Sequence, residues 1–183
     1  SVRPMMFATL FGLLAATGLR ISEALRLRLQ DISADGLMIL ETKFNKSRLV
    51  PLHDTAHAAL ERYLEARART ATNTNDLFVG TNGKAPGYHG VKDVFDRLVT
   101  TMGLQQARNG GLPHIHDLRH TLAVCSLERF RGNRNAISRH MTALSTYLGH
   151  TNVTGTYWYL EATPVLLGQI AEAAETLHRE QDL

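Results

Sequence analysis

Cysteine is nearly absent from this chain: Cys125 stands alone among 183 residues. One thiol excludes an internal disulfide framework and suits a reducing compartment. Within Leu122-Ala-Val-Cys-Ser-Leu127 it reads as a small buried core residue. Long apolar runs are missing too. A membrane-spanning helix needs roughly 20 consecutive apolar residues, and the longest run here, Met5 to Ala16, is interrupted by Thr9 and Gly12. No basic region followed by a cleavage site opens the chain, so no secretory leader is expected. Nine histidines are many, but their spacing makes no Cys-His zinc pattern. No carboxylate cluster suited to a pair of metal ions is evident. Internal repeats, low-complexity stretches and interdomain linkers are also lacking. Charge of one sign is scarce: 20 Lys+Arg against 17 Asp+Glu leave a net +3. That is compatible with nucleic acid without pointing to it.

What remains is a chain with 44% hydrophobic and 20% charged residues. It reads as one globular domain large enough for a substantial core. Met6, Leu10, Leu13 and Leu14 recur at helical spacing on a nearly all-apolar stretch, so a central helix is expected over about Arg3 to Ala16. Thr17-Gly18 ends it. Ser22 then reads as the N-cap of a short helix with acidic Glu23 in its first turn and Ile21, Ala24 and Leu25 toward the core. Asp35-Gly36 is a turn signal. Leu37 to Leu40 and Arg48 to Leu52 are β-compatible, with Pro51 at a strand end, and the polar stretch Thr42 to Ser47 joins them as a lysine-bearing hairpin tip. Leu77-Phe-Val79 is the candidate third strand.

Helices fill the rest. One is expected from a cap at Asp54 or Thr55 to about Arg69, with Ala56, Ala59, Leu60, Tyr63 and Leu64 on one face. A second places Val91, Val94, Phe95, Leu98, Val99 and Met102 at helical spacing. Others run from His116 to about Phe130, and through Ile137, Met141, Leu144 and Leu148 to a stop at Gly149. A last one begins near Pro164, with Leu167, Ile170, Ala171, Ala174 and Leu177 on its apolar stripe. The expected class is therefore α+β, mainly α-helical, with a small three-stranded antiparallel sheet against a helical core.

Four stretches carry chemistry. They are Thr17-Gly-Leu-Arg-Ile-Ser-Glu23, Thr42-Lys-Phe-Asn-Lys-Ser-Arg48, His116-Asp-Leu-Arg119 and His150-Thr-Asn-Val-Thr-Gly-Thr-Tyr-Trp-Tyr159. Each has a plain structural reading. Arg20 suits a surface ion pair with Glu23, His116 a structural histidine, Lys43 and Lys46 solvated loop cations, and Tyr157, Trp158 and Tyr147 packing aromatics. Taken together they suit attack on a phosphodiester by tyrosine without a metal. An arginine fork holds two phosphate oxygens and stays charged at any working pH. His116 and Arg119, three residues apart on a helix, point at one spot. A lysine on a hairpin tip can protonate a leaving oxygen, and cations near a tyrosine of ordinary pKa about 10 favour its phenolate.

In this order the stretches resemble the tyrosine recombinase/integrase family, which includes phage and integron-type integrases and chromosome-dimer resolvases. The resemblance runs from about residue 5 to 170. It implies the following roles. Arg20 and Arg119 are phosphate clamps, and Glu23 is the acidic residue supporting the first. Lys43 is the hairpin lysine, flanked here by Thr42 and Phe44 where the family often has glycines. His116 is the acid/base, His150 donates a hydrogen bond to the phosphate, and Tyr159, nine residues on, is the nucleophile. The implied activity is site-specific DNA recombination and integration through a 3′-phosphotyrosyl link, without metal, ATP or other cofactor. Such enzymes serve mobile genetic elements or chromosome resolution in the cytoplasm. The alternatives are a type IB topoisomerase-like activity and a DNA-binding protein with a degenerate site. The implied partners are double-stranded DNA and further copies of the chain, four on DNA, with a monomer expected off it and no membrane. Residues 1–183 are expected to be a single catalytic domain without the N-terminal DNA-clamping domain of such enzymes. Segment 164–183 is expected either to pass to a neighbouring protomer or to be a plain core helix.

Overall fold

The computed structural model describes residues 1–40, 47–104, 111–129 and 134–149, the side chains of 134–138 aside. Two compact units divide the chain, Ser1–Arg119 and His120–Leu183. In the first unit, α1 (Val2–Thr17) is the expected central helix, with Met6, Leu10, Leu13 and Leu14 all buried. Burying one such side chain contributes roughly 1.5–3 kcal/mol, so this apolar helix anchors the unit. It packs against α3 (Asp54–Ala68), and Phe11 meets Phe95 of α4 (Tyr88–Thr101) edge to face. The helix α1 ends at Gly18, whose positive φ of 64° lets its N–H reach back to the Leu14 carbonyl.

The short helix α2 (Ile21–Ala24) starts from Arg20, not from the expected Ser22. Arg20 takes extended backbone angles, and its N–H donates to the Glu23 carboxylate at 2.8 Å. An acid at the third helical position thus fills the role a serine cap would have had. For α3 the cap is His53, whose Nδ1 accepts from the Thr55 N–H at 3.3 Å, in place of Asp54 or Thr55.

The sheet is three-stranded and antiparallel, in the order β1 (Ile32–Ser33), β2 (Gly36–Leu40), β3 (Ser47–Val50). Its third strand is not Leu77–Val79. Those three residues are all buried, but side chains take up the Leu77 carbonyl and the Val79 N–H, and the Leu77 N–H donates to the Leu27 carbonyl at 2.7 Å. Tyr63 Oη donates to the Leu77 carbonyl at 3.1 Å and accepts from the Val79 N–H at 2.9 Å. Arg67, itself buried, donates to the carbonyls of Thr74, Asp76 and Leu77. With these groups already paired, only an isolated bridge, Arg28 to Asp76, forms. The strand β3 ends at Val50, just before Pro51. In register, Leu37 faces Val50 and Ile39 faces Arg48, so these four share the inward face, and Met38, Leu40 and Leu49 are exposed on the other.

On α4 the buried residues are Val91, Phe95 and Val99, whereas Leu98 and Met102, which share the helical spacing, are exposed. They flank the stripe, and only its centre reaches the core. The helix α5 (Ile115–Glu128) runs across the division between the units. In the second unit Ala123 and Leu127 of α5 join Met141, Leu144 and Leu148 of α6 (Arg134–Leu148) in one buried cluster, with Tyr147 packed against it. Cys125 is exposed and not a core residue. It lies two positions from both Ala123 and Leu127, about 200° round the helix from either. As expected, α6 stops at Gly149, with a φ of 67°. Among the described residues, no helix is long and apolar enough to cross a membrane.

The turn between β1 and β2 makes a clear demand. Gly36 has a φ of 135°, and a Cβ there would sit 2.2 Å from the Val50 carbonyl oxygen. Gly90 in α4 has open space around that position. Gly36→Ala should therefore destabilise the fold by roughly 2 kcal/mol or more. Gly90→Ala should be neutral or stabilising by up to about 1 kcal/mol. Urea midpoints of the two variants measure the contrast, and equal midpoints would contradict it.

Candidate functional site

The described candidate residues, Arg20, Glu23, His116 and Arg119, all lie in the first unit. Lys43, His150, Tyr159 and segment 164–183 lie outside the described residues. The site is built on the turn between α1 and α2. Gly18 closes α1, and Arg20 opens α2 two residues later. Gly18 and Arg20 therefore lie on one short corner of backbone.

Glu23 holds the corner. Its side chain is only 4% exposed, and both its oxygens are engaged. One accepts from Arg20 Nη1 at 2.9 Å and Arg48 Nη1 at 3.2 Å. The other accepts from the Arg20 backbone N–H at 2.8 Å and Arg48 Nη2 at 3.0 Å. Four donors thus meet the roughly four lone-pair sites of a carboxylate. Burial pushes the Glu23 carboxyl upward, but the Arg48 hydrogen bonds, the Arg20 N–H and both guanidinium charges outweigh it and hold it below the usual range. The plain reading of Arg20 as an ion-pair partner of Glu23 is thus also true. The same pair orients a side chain that remains 37% exposed.

Arg119 arrives at the same corner from α5. Its Nη1 donates to the Gly18 carbonyl at 2.6 Å, and the side chain is buried. The first turn of α5 is fixed by Asp117, whose carboxylate accepts the His114 N–H at 2.6 Å. His116, in that turn, is exposed. The structure therefore gathers two arginines at one corner, with a solvent-facing histidine one helical turn from the second. Guanidinium groups stay charged at any working pH and present planar forks of donors.

Arg48 is the residue the sequence reading passed over. A signal was present. In Ser47-Arg-Leu-Val50, alternation puts Arg48 on the same face as Val50. A cation on the core side of a strand needs a buried acid, and Glu23 is that acid.

The sequence profile described as the phage integrase family matches residues 2–164. A Sinorhizobium fredii protein, y4rB, which carries integrase/recombinase as a provisional name, is 36% identical over 179 residues. The match covers 95% of this chain and 57% of that protein. Tyrosine recombinase XerC of Corynebacterium glutamicum is 30% identical over 174 residues, covering 93% of this chain and 50% of its own. Among solved structures, the XerH site-specific recombinase in a post-cleavage complex with palindromic difH substrate aligns with a TM-score of 0.71 at 24% identity. It covers 92% of this chain and 46% of that one. The XerA recombinase gives a TM-score of 0.71 at 22% identity, covering 92% and 61%. At such identities the structural likeness is one of fold. The chain spans about half the length of the curated relatives it matches.

Glu23 yields a pH test. Its folded-state pKa lies below its unfolded one, so its ionised form stabilises the fold above the unfolded value, about 4.3, and that contribution is lost as pH falls through the folded value. Removing one partner of a buried ion pair costs roughly 3 kcal/mol or more. Wild type should exceed Glu23→Gln by about that amount near neutral pH, and the gap should narrow below about pH 4. Urea unfolding across that range reads it, and a gap independent of pH would contradict the assignment.

Proposed function

The chain belongs to the phage integrase family, and we propose that it cleaves and rejoins DNA strands at specific sites through a covalent 3′-phosphotyrosyl intermediate. One observation carries the reading: Arg119 bonds to Gly18, on the corner that presents Arg20. Two arginine forks at one corner suit a phosphodiester, whose non-bridging oxygens gain negative charge as the phosphorus is attacked. In this reading Arg20 and Arg119 clamp those oxygens, and Glu23 supports Arg20. His116 exchanges protons with the reacting oxygens, His150 donates to the phosphate, and Lys43 protonates the departing 5′ oxygen. Tyr159 attacks phosphorus, its phenolic proton leaves, and the 3′ phosphate is held as a phosphotyrosyl ester. Rejoining reverses these steps with a new 5′ hydroxyl, so neither metal nor ATP is called for.

On the same reading the two units make up one catalytic domain. Its partners are double-stranded DNA and further copies of the chain, with segment 164–183 passing between neighbours on the DNA. An enzyme of this kind works in the bacterial cytoplasm, on mobile elements or in chromosome resolution.

Covalent trapping on nicked duplex DNA tests the reading. Tyr159→Phe should abolish the protein–DNA adduct, while Tyr157→Phe should retain it. An adduct that persists in Tyr159→Phe would overturn the nucleophile. Arg20→Ala and Arg119→Ala should each slow cleavage by roughly 10²-fold or more, with a much smaller change in DNA affinity. Chelators should leave the wild-type rate unchanged, and a rate that vanishes with EDTA and returns with Mg²⁺ would contradict the metal-free chemistry.

A further inference from the structure

Arg48 lies on the inward face of β3, opposite Ile39. Its guanidinium meets the Glu23 carboxylate fork on fork, with Nη1 to one oxygen and Nη2 to the other. The side chain is 15% exposed, against 4% for Glu23. Arg20 grips the same two oxygens by Nη1 and by its backbone N–H. The strand and the helix start are thus joined through one buried carboxylate.

We propose that Arg48 is a positioning residue for Arg20: it locks the Glu23 carboxylate from the strand side, so that Glu23 presents the Arg20 guanidinium in one orientation. The proposal rests on the reading of Arg20 as a phosphate clamp.

The physical argument concerns what Glu23 would do without Arg48. A half-exposed arginine side chain has several rotamers open to it, and ordering it costs up to about 2 kcal/mol. A partner must hold it. Glu23 can do so only as a carboxylate, because a protonated carboxyl loses acceptor sites and its charge. Burial favours the neutral acid, and Arg48 opposes burial with both a charge and two hydrogen bonds. The bidentate contact also fixes the plane of the carboxylate, and that plane sets where Arg20 Nη1 can sit. A lysine at position 48 would supply the charge without the plane.

The other ionisable groups near Glu23 do not substitute for Arg48. Glu23 lines a cleft of about 420 Å³ whose charged side chains include Arg26, Arg28, Asp31 and Asp76. Arg26 Nε is bonded to the Ser22 carbonyl at 3.0 Å. The Asp31 carboxylate accepts the Arg28 backbone N–H at 2.8 Å. Asp76 accepts from the Thr74 hydroxyl at 2.5 Å. Arg20 and Arg48 are the cations in direct contact with the Glu23 oxygens among the described residues.

The test uses Arg48→Met, which removes charge and fork while keeping an apolar stem, and Arg48→Lys, which keeps the charge. Two readouts are taken. The first is the adduct-forming rate on a pool of nicked duplexes of random sequence, followed from about pH 5 to about pH 9 beside DNA affinity. The second is the Arg20 Nε–H resonance in the chain without DNA, assigned by its loss in Arg20→Lys. Arg48→Met should form adduct about tenfold or more slowly with affinity changed far less, and its deficit should deepen toward acid pH as Glu23 takes up a proton. Arg48→Lys should restore the wild-type pH profile but only part of the rate. The Arg20 resonance should broaden in Arg48→Met and, in Arg48→Lys, stay shifted from its wild-type position and recover its sharpness only in part. A wild-type rate and pH profile in Arg48→Met, or an unchanged Arg20 resonance, would overturn the proposal. Should Arg48→Met fail to fold, Arg48→Lys decides: full wild-type rate and an unshifted Arg20 resonance would show that the fork positions nothing. A wild-type chain that forms no adduct would instead sink the strand-transfer reading, and the resonance would still judge the role of Arg48.

Discussion

The described part of the site depends on one buried carboxylate. Glu23 accepts four hydrogen bonds, two from Arg20 and two from Arg48, and these tie a helix start to the inner face of a sheet. A carboxylate removed from water to this degree carries a large desolvation penalty unless its partners are close and well aimed. Here every contact lies between 2.8 and 3.2 Å. The cluster therefore behaves as a unit. A loss at any member leaves the others buried and mismatched, and its effects should not be additive.

The scaffold under that unit follows from ordinary folding chemistry. An apolar helix, α1, needs a glycine to stop it, and Gly18 supplies the positive φ. The carbonyl of that same glycine then becomes the anchor of Arg119. A capping residue thus doubles as a docking point for a side chain 101 positions away. The local stop signal of one helix and the long-range geometry of the site are the same few atoms.

This explains which parts were legible in the sequence. Helices with strong periodicity, α1 above all, could be read from spacing because burial dictates it. The hairpin strands β2 and β3 could be read from their β-compatible runs. The third strand could not, because Leu77–Val79 looks like a strand in every local respect and is claimed by Tyr63 and Arg67 from another helix. Cys125 was misread because its neighbours are apolar, whereas helical phase turns it away from the cluster of Ala123 and Leu127. Within the site, Arg20, Glu23, His116 and Arg119 were legible as motif residues. The cap at Arg20 was not, since arginine is a poor cap by side chain and works here through its backbone N–H. Arg48 was hidden for a related reason: its meaning lies in strand register, which pairs it with Ile39 and turns it inward.

Arg20 and Arg119 are held by contacts of different kinds. Arg20 is held by a charged group, so part of its field is spent on Glu23. Arg119 is held at Nη1 by the neutral Gly18 carbonyl, a contact that fixes direction without cancelling charge. The Glu23 pair thus sets the orientation of Arg20 through charge and two hydrogen bonds, whereas the Gly18 contact sets the direction of Arg119 through a backbone group that belongs to the stop of α1. The position of Arg20 therefore depends on the ionisation of Glu23, and the Gly18 contact of Arg119 depends on the backbone turn alone.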